Sequence, residues 1–159
     1  MKFALLFATV IAGLAFTVPA SSSPPAAMLT IPKLGIFNKP IGNGASMLEY
    51  GPIWHPEVHA RPGDGKPMVI AGHDVTPVPG YGAHGPFYHL VNLHKGDLVK
   101  IRWHGRLRVY RVVAEPTWHQ ENDYQVVVDK GVEAVWFYSC WPRYTHNGRL
   151  WVEADLVRS

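Results

Sequence analysis

The chain has 159 residues, of which 47% are hydrophobic, 12% aromatic and 17% charged, and it carries a formal net charge of +3. That length suits one domain whose core can fold without disulfides, and the single cysteine excludes an intramolecular one. The small, interspersed charge excludes a dedicated nucleic-acid binder, and 15 glycines with 14 prolines argue against a helical bundle and for an all-β fold of short strands.

In chain order, residues 3–20, FALLFATVIAGLAFTVPA, form an uncharged run behind Lys2 that ends in small residues at Val18-Pro19-Ala20. This pattern predicts export. The 18 apolar residues exceed a signal-peptide core of about 7–15 and reach the lower bound of a spanning helix, about 17–25. Residues 1–20 therefore read as a signal peptide or an N-terminal membrane anchor, 21–27 (SSSPPAA) as a Pro/Ser linker, and 28–159 as the folded domain. Strands are predicted near 29–34, 67–72, 97–103, 106–115, 124–128, 132–139 and 149–157, each rich in Val, Ile, Leu or aromatics and bounded by Gly, Pro, Asn or Asp. His104-Gly105 predicts a tight hairpin, Asp129-Lys130-Gly131 a turn, and Gly85 to Leu93 a short helix with Pro86 in its first turn. Strands at this spacing suggest a closed or nearly closed barrel.

Cys140 ends the most hydrophobic strand, and Trp141-Pro142 follow at once. A strand that stops in Pro hands its last side chain to a loop mouth, where nucleophiles are commonly displayed; the alternative is an inert thiol packed with Trp136 and Phe137. Met68 to His73 repeats the layout, an apolar strand delivering a titratable residue at its end, so the chain holds the makings of a Cys–His couple. Arg149 follows the Asn147-Gly148 turn nine residues after the cysteine and opens the last strand. If those two strands are neighbours, its guanidinium can depress the thiol pKa and stabilise an oxyanion.

The segments VIAGH ending at His73, GPFYHLVNLHKGDLVKI, and CWPRYTHNGRLWVEADL from Cys140 resemble the sortases, cysteine transpeptidases of the Gram-positive cell surface. The Cys140-to-Arg149 interval, Pro142, and GPIWHPEVHARPGDGKPMVIAGH most resemble the class E branch. The resemblance runs from about Ile31 to Val157 and implies a closed eight-stranded β-barrel with one or two short helices. It implies Cys140 as nucleophile, His73 as acid/base and Arg149 as stabiliser of the tetrahedral intermediate, with Ser139, Tyr138, Trp141, Asp74 and Thr76 toward substrate. Two departures stand out. Trp136-Phe137-Tyr138-Ser139 replaces the usual T-L-x-T before the cysteine, and Asp74-Val75-Thr76 with an extra loop, Pro77 to His84, replaces the usual Arg-Thr after the histidine.

The implied activity is cleavage of an LPxTG- or LAxTG-type sorting signal through a thioester, then transfer to an amine on a cell-wall cross-bridge or a pilin lysine, outside the cytoplasm. No nucleic acid and no cofactor is expected. Two other readings are a cell-wall cysteine acyltransferase of the L,D-transpeptidase type, whose arginine would lie two residues past the cysteine rather than nine, and a secreted β-barrel binding module with a structural cysteine. No metal site is expected from the nine histidines. Pro56 separates His55 from His59, and the interval of five between His84, His89 and His94 matches neither helix nor strand. Glu121 and Asp123 are too few for calcium. Trp54, Trp118 and Trp141 are candidate groove aromatics.

Overall fold

The computed structural model describes residues 27–75 and 84–159. Ten strands form one sheet: β1 (Ala27–Ile31), β2 (Ile36–Pro40), β3 (Gly42–Asn43), β4 (Ile53–Trp54), β5 (Pro67–Ala71), β6 (Leu98–Trp103), β7 (Arg106–Val112), β8 (Thr117–Gln120), β9 (Ala134–Cys140) and β10 (Gly148–Arg158). Their order is β2-β1-β6-β7-β10-β9-β5-β4-β3, with β8 on β10. The two ends of that path, β2 and β3, are separated in the chain by Ile41 alone, and the Ile41 N–H donates to the Ala27 carbonyl (3.1 Å). The sheet thereby curls round into a nearly closed barrel, which leaves few free edges.

Alternation along the strands divides the apolar residues between two faces. Met68, Ile70, Val135, Phe137, Leu150 and Val152 point into the barrel and join its main core with Leu29, Ile101 and Tyr110. Val69, Trp136 and Trp151 point outward and form a second cluster, covered by Val58, Val126, Val127 and Tyr138. Burying each large apolar side chain contributes about 1.5–3 kcal/mol, so both faces of β5, β9 and β10 are anchored. A carboxylate is also buried: Glu133 accepts from Arg108 Nη1 (3.1 Å), the Tyr110 hydroxyl (2.6 Å) and the Gly63 N–H (2.9 Å).

Most of the all-β expectation holds, with differences at particular segments. Two of the ten strands, β3 and β4, are only two residues long, so the longer strands match the eight implied by the resemblance. Residues 124–128 are not a strand; Tyr124–Val126 is a 3-10 turn, and Val126 and Val127 lie on the outer cluster. Their apolar character reflects burial against the sheet rather than pairing within it. Strand β8, Thr-Trp-His-Gln, has too little apolar content to be legible, yet it pairs with the start of β10. Between Gly85 and Leu93 only Leu90–Asn92 forms a 3-10 turn, preceded by a turn over residues 86–89. The predicted leader and linker up to residue 26, and most of the loop after His73, lie outside the described residues. Among the described residues no helix is long and apolar enough to cross a membrane.

Candidate active site

Three adjacent strands deliver the site residues to one end of the barrel. β5 and β9 run parallel, in register from Pro67 opposite Ala134 to Ala71 opposite Tyr138. The Gly72 N–H continues the ladder to the Tyr138 carbonyl at 3.1 Å. His73 and Cys140 each lie two residues beyond the last pair, so the register brings them to the same rung. On the other side of β9 the antiparallel ladder sets Cys140 directly opposite Arg149. Histidine, cysteine and arginine thus come from neighbouring chain segments, with the cysteine in the middle.

The backbone around His73 is clamped by the chain that returns after the loop. The Phe87 N–H donates to the His73 carbonyl (2.9 Å) and the Gly85 N–H to the Asp74 carbonyl (2.7 Å). Only glycine fits at 85, because a Cβ there would lie 2.3 Å from the His73 oxygen. Gly72 is constrained in the same way by the Phe87 ring, which a Cβ would approach to 2.5 Å. The loop after Cys140 is also closed, by the Trp141 N–H to the Gly148 carbonyl (3.0 Å) and by a turn in which the Thr145 N–H (3.1 Å) and hydroxyl (2.7 Å) both donate to the Pro142 carbonyl. Arg143 braces that loop from below, donating to the Tyr88 carbonyl (3.2 Å) and lying over the Tyr88 ring at 4.3 Å.

A cavity of about 600 Å³ opens at this end, lined by His73, Asp74, Tyr138, Cys140, His146 and Arg149, with Leu48, Ala71, Val75 and Tyr144 around them. Burial pushes the Cys140 thiol above its ordinary pKa; Arg149 opposes the rise, and the carboxylates of Asp74 and Glu121 reinforce it. Arg149 is largely buried and its guanidinium is held in place, donating to Glu121 at 2.6 Å and to the Gly148 carbonyl at 3.0 Å. His73 Nε2 lies 3.5 Å from the exposed Glu49 carboxylate. Asp74 is 3% exposed, and its Oδ2 has no hydrogen-bond partner. Burial also raises the Tyr138 hydroxyl pKa, and that ring packs on Trp151 at 4.7 Å, forming the apolar wall between cavity and outer cluster.

Of the residues picked out by sequence, His73, Asp74, Tyr138, Cys140 and Arg149 line the cavity. Ser139 and Trp141 do not. Ser139 falls on the inward face of β9 between neighbours that face out, is 1% exposed, and has an unpartnered hydroxyl. Trp141 packs beside Arg143, whose guanidinium lies 5.0 Å from its ring, and its carbonyl accepts from Trp118 Nε1 (3.2 Å). Thr76 lies outside the described residues. Of the other candidate groove aromatics, Trp54 is buried in the barrel core and Trp118 is half exposed beside β10. Glu121 and Asp123 are engaged by Arg149 and His119. Among the described residues no group of three metal-ligating side chains converges.

His146 escaped the sequence reading. Its Nδ1 lies 3.9 Å from Cys140 Sγ, within hydrogen-bond reach of sulfur. Its position three residues before Arg149, in a loop whose ends are both held at the site, was the available signal.

A cysteine, a histidine and an arginine thus sit at adjacent strand ends around one cavity of a β-barrel. The profile of the Sortase domain matches residues 29–157, and the chain belongs to the sortase family. It is accordingly a cysteine transpeptidase. The fold is similar to that of a lid mutant of sortase A from Corynebacterium diphtheriae, at 24% identity and TM-score 0.71, covering 89% of this chain and 75% of that one. It is also similar to sortase C-1 from Actinomyces oris, at 22% identity and TM-score 0.73, covering 87% and 76%. A third likeness is the SrtF sortase from Corynebacterium diphtheriae, at 20% identity and TM-score 0.69, covering 91% and 92%. No curated protein sequence matches the chain.

Proposed function

We propose that Cys140 is the nucleophile, His73 the acid/base and Arg149 the oxyanion stabiliser of a class E-like sortase acting on an LPxTG- or LAxTG-type signal. The observation that carries this reading is the convergence of the three side chains on one cavity from three consecutive strands of the sheet. The Cys140 thiolate attacks the scissile carbonyl carbon, and Arg149, fixed by Glu121, donates hydrogen bonds to the oxygen as charge develops on it. Collapse of the tetrahedral intermediate breaks the C–N bond, and His73 as imidazolium gives its proton to the departing amine. A thioester on Cys140 remains. An incoming amine then attacks it, loses a proton to His73, and releases Cys140.

Asp74 and Tyr138 take part in substrate binding on this reading. The buried, half-unpartnered Asp74 carboxylate suits an arriving ammonium, and the Tyr138 ring offers an apolar wall to the extended signal. The acceptor is a cross-bridge or pilin-lysine amine. The leader takes the domain across the membrane and, if uncleaved, holds it at the cell surface. The class E element rests on the Cys140-to-Arg149 interval and on the segment before His73.

Incubating the protein with pentapeptides of both signal types and a small primary amine, with mass spectrometry of the products, tests the reading. Wild type should yield the amide product and a Cys140 acyl adduct. Cys140→Ala should yield neither. Absence of any adduct across the panel would refute the assigned signal class.

A further inference from the structure

We propose that His146 is a second catalytic histidine, the one that takes the proton from the Cys140 thiol, leaving His73 to serve the departing and incoming amines. This rests on the reading of Cys140 as nucleophile and divides between two residues a task that a single histidine would otherwise perform twice.

Three observations carry it. His146 Nδ1 is 3.9 Å from Cys140 Sγ and lines the same cavity, so it touches the reacting atom. His73, which lines the same cavity, has its Nε2 3.5 Å from the Glu49 carboxylate, a partner of its own apart from the sulfur. The loop bearing His146 is also held rigidly. Its ends are joined by the Trp141 N–H to Gly148 bond, the turn at Pro142–Thr145 is doubly hydrogen-bonded, and Tyr144 sits at φ 65°, a conformation that non-glycine residues rarely adopt without a constraint. A histidine displayed on an overdetermined loop against the only cysteine is positioned for chemistry. The thiol is half-buried and faces Asp74 from the segment after β5 and Glu121 from the segment after β8, with Arg149 of β10 opposing their charge, so a base within reach of the sulfur has a proton to take.

The proton balance closes over a full cycle. In acylation the S–H proton moves to His146 Nδ1 as sulfur bonds to the carbonyl carbon. The C–N bond then breaks, and His73 gives its own proton to the leaving amine. In deacylation the incoming amine loses a proton to His73, the C–S bond breaks, and His146 returns its proton to sulfur. Both histidines end as they began, and no further reactant is required.

Alkylation of Cys140 by iodoacetamide, followed from pH 5 to 10 in wild type, His146→Gln and His73→Gln, tests the first step without any peptide. The inference can therefore fail separately from the assignment of the sorting signal. His146→Gln is expected to slow alkylation near neutral pH by about tenfold or more and to move its rise to higher pH, whereas His73→Gln leaves the profile in place. With an accepted peptide, His146→Gln should lower the acylation rate by about 10²-fold, the lower end for loss of a general base, and added imidazole should partly restore His146→Ala. Thermal unfolding unchanged from wild type would tie these losses to chemistry rather than folding. An alkylation profile identical to wild type, the same loss appearing in His73→Gln instead, or slowed alkylation with undiminished turnover would each overturn the inference.

Discussion

The cysteine sulfur sits in a contest of charges that its immediate neighbours decide. Burial, Asp74 and Glu121 all hold the thiol protonated, and Arg149, with a smaller contribution from a backbone hydrogen bond, pulls the other way. Glu121 acts twice, raising the thiol pKa while anchoring the arginine that lowers it. Glu121→Gln should therefore lower the pKa of Cys140, seen as a shift of the thiolate absorbance titration to lower pH; no shift, or a rise, would mean that anchoring outweighs charge. Arg149→Ala should cost about 10²–10³ in turnover, the scale for losing an oxyanion donor, and Arg149→Lys should recover little of it because a point charge cannot reproduce a planar fork. Steady-state kinetics on an accepted peptide would measure both. At this scale the sequence was legible wherever a polar residue followed an apolar run, as with His73 after Ile70-Ala71 and Cys140 after Phe137-Tyr138-Ser139. It was silent on His146 and Glu49, whose loop segments carry no periodicity to say where they fold back. Parity settles Ser139: it alternates with Tyr138 and Cys140, so its hydroxyl turns into the barrel.

Among the elements, the parallel pairing of β5 with β9 matters most, because it brings two residues 67 positions apart to one rung. Strands that must run parallel need a long crossover, and here it consists of the segment after His73 together with β6, β7 and β8. The return of that crossover at Gly85 to Phe87 fixes the histidine. Gly85→Ala puts a methyl group into the His73 carbonyl, so turnover should fall at least tenfold, with a loss of about 1–3 kcal/mol in stability as the clamp is forced apart. Kinetics and denaturant unfolding on one variant would test both, and unchanged turnover would show that the clamp does not position the histidine. Strands with strong apolar character were legible, whereas β2, β3 and β4 were hidden by Gly, Pro and Asn, and 124–128 misled because a loop packed on the outer cluster looks as apolar as a strand.

For the whole molecule, closure of the barrel and the buried Glu133 cluster bind the far end of the sheet, away from the chemistry. Removing one member of a buried ion pair leaves the other uncompensated, so Arg108→Ala should cost about 3 kcal/mol, readable as a lowered Tm with little change in turnover per folded molecule. A large loss of turnover instead would mean that the two ends are coupled. The ladder between β9 and β10 has a further consequence for how such an enzyme can diversify. Cys140 and Arg149 are opposed by sheet register, so the intervening loop can be lengthened or exchanged without altering the distance between them, whereas His146 rides on that loop and moves with it. On the roles proposed above, one stretch of eight residues between two fixed posts separates what must stay constant, the reach of the arginine to the cysteine, from what is free to be retuned, the protonation of the thiol.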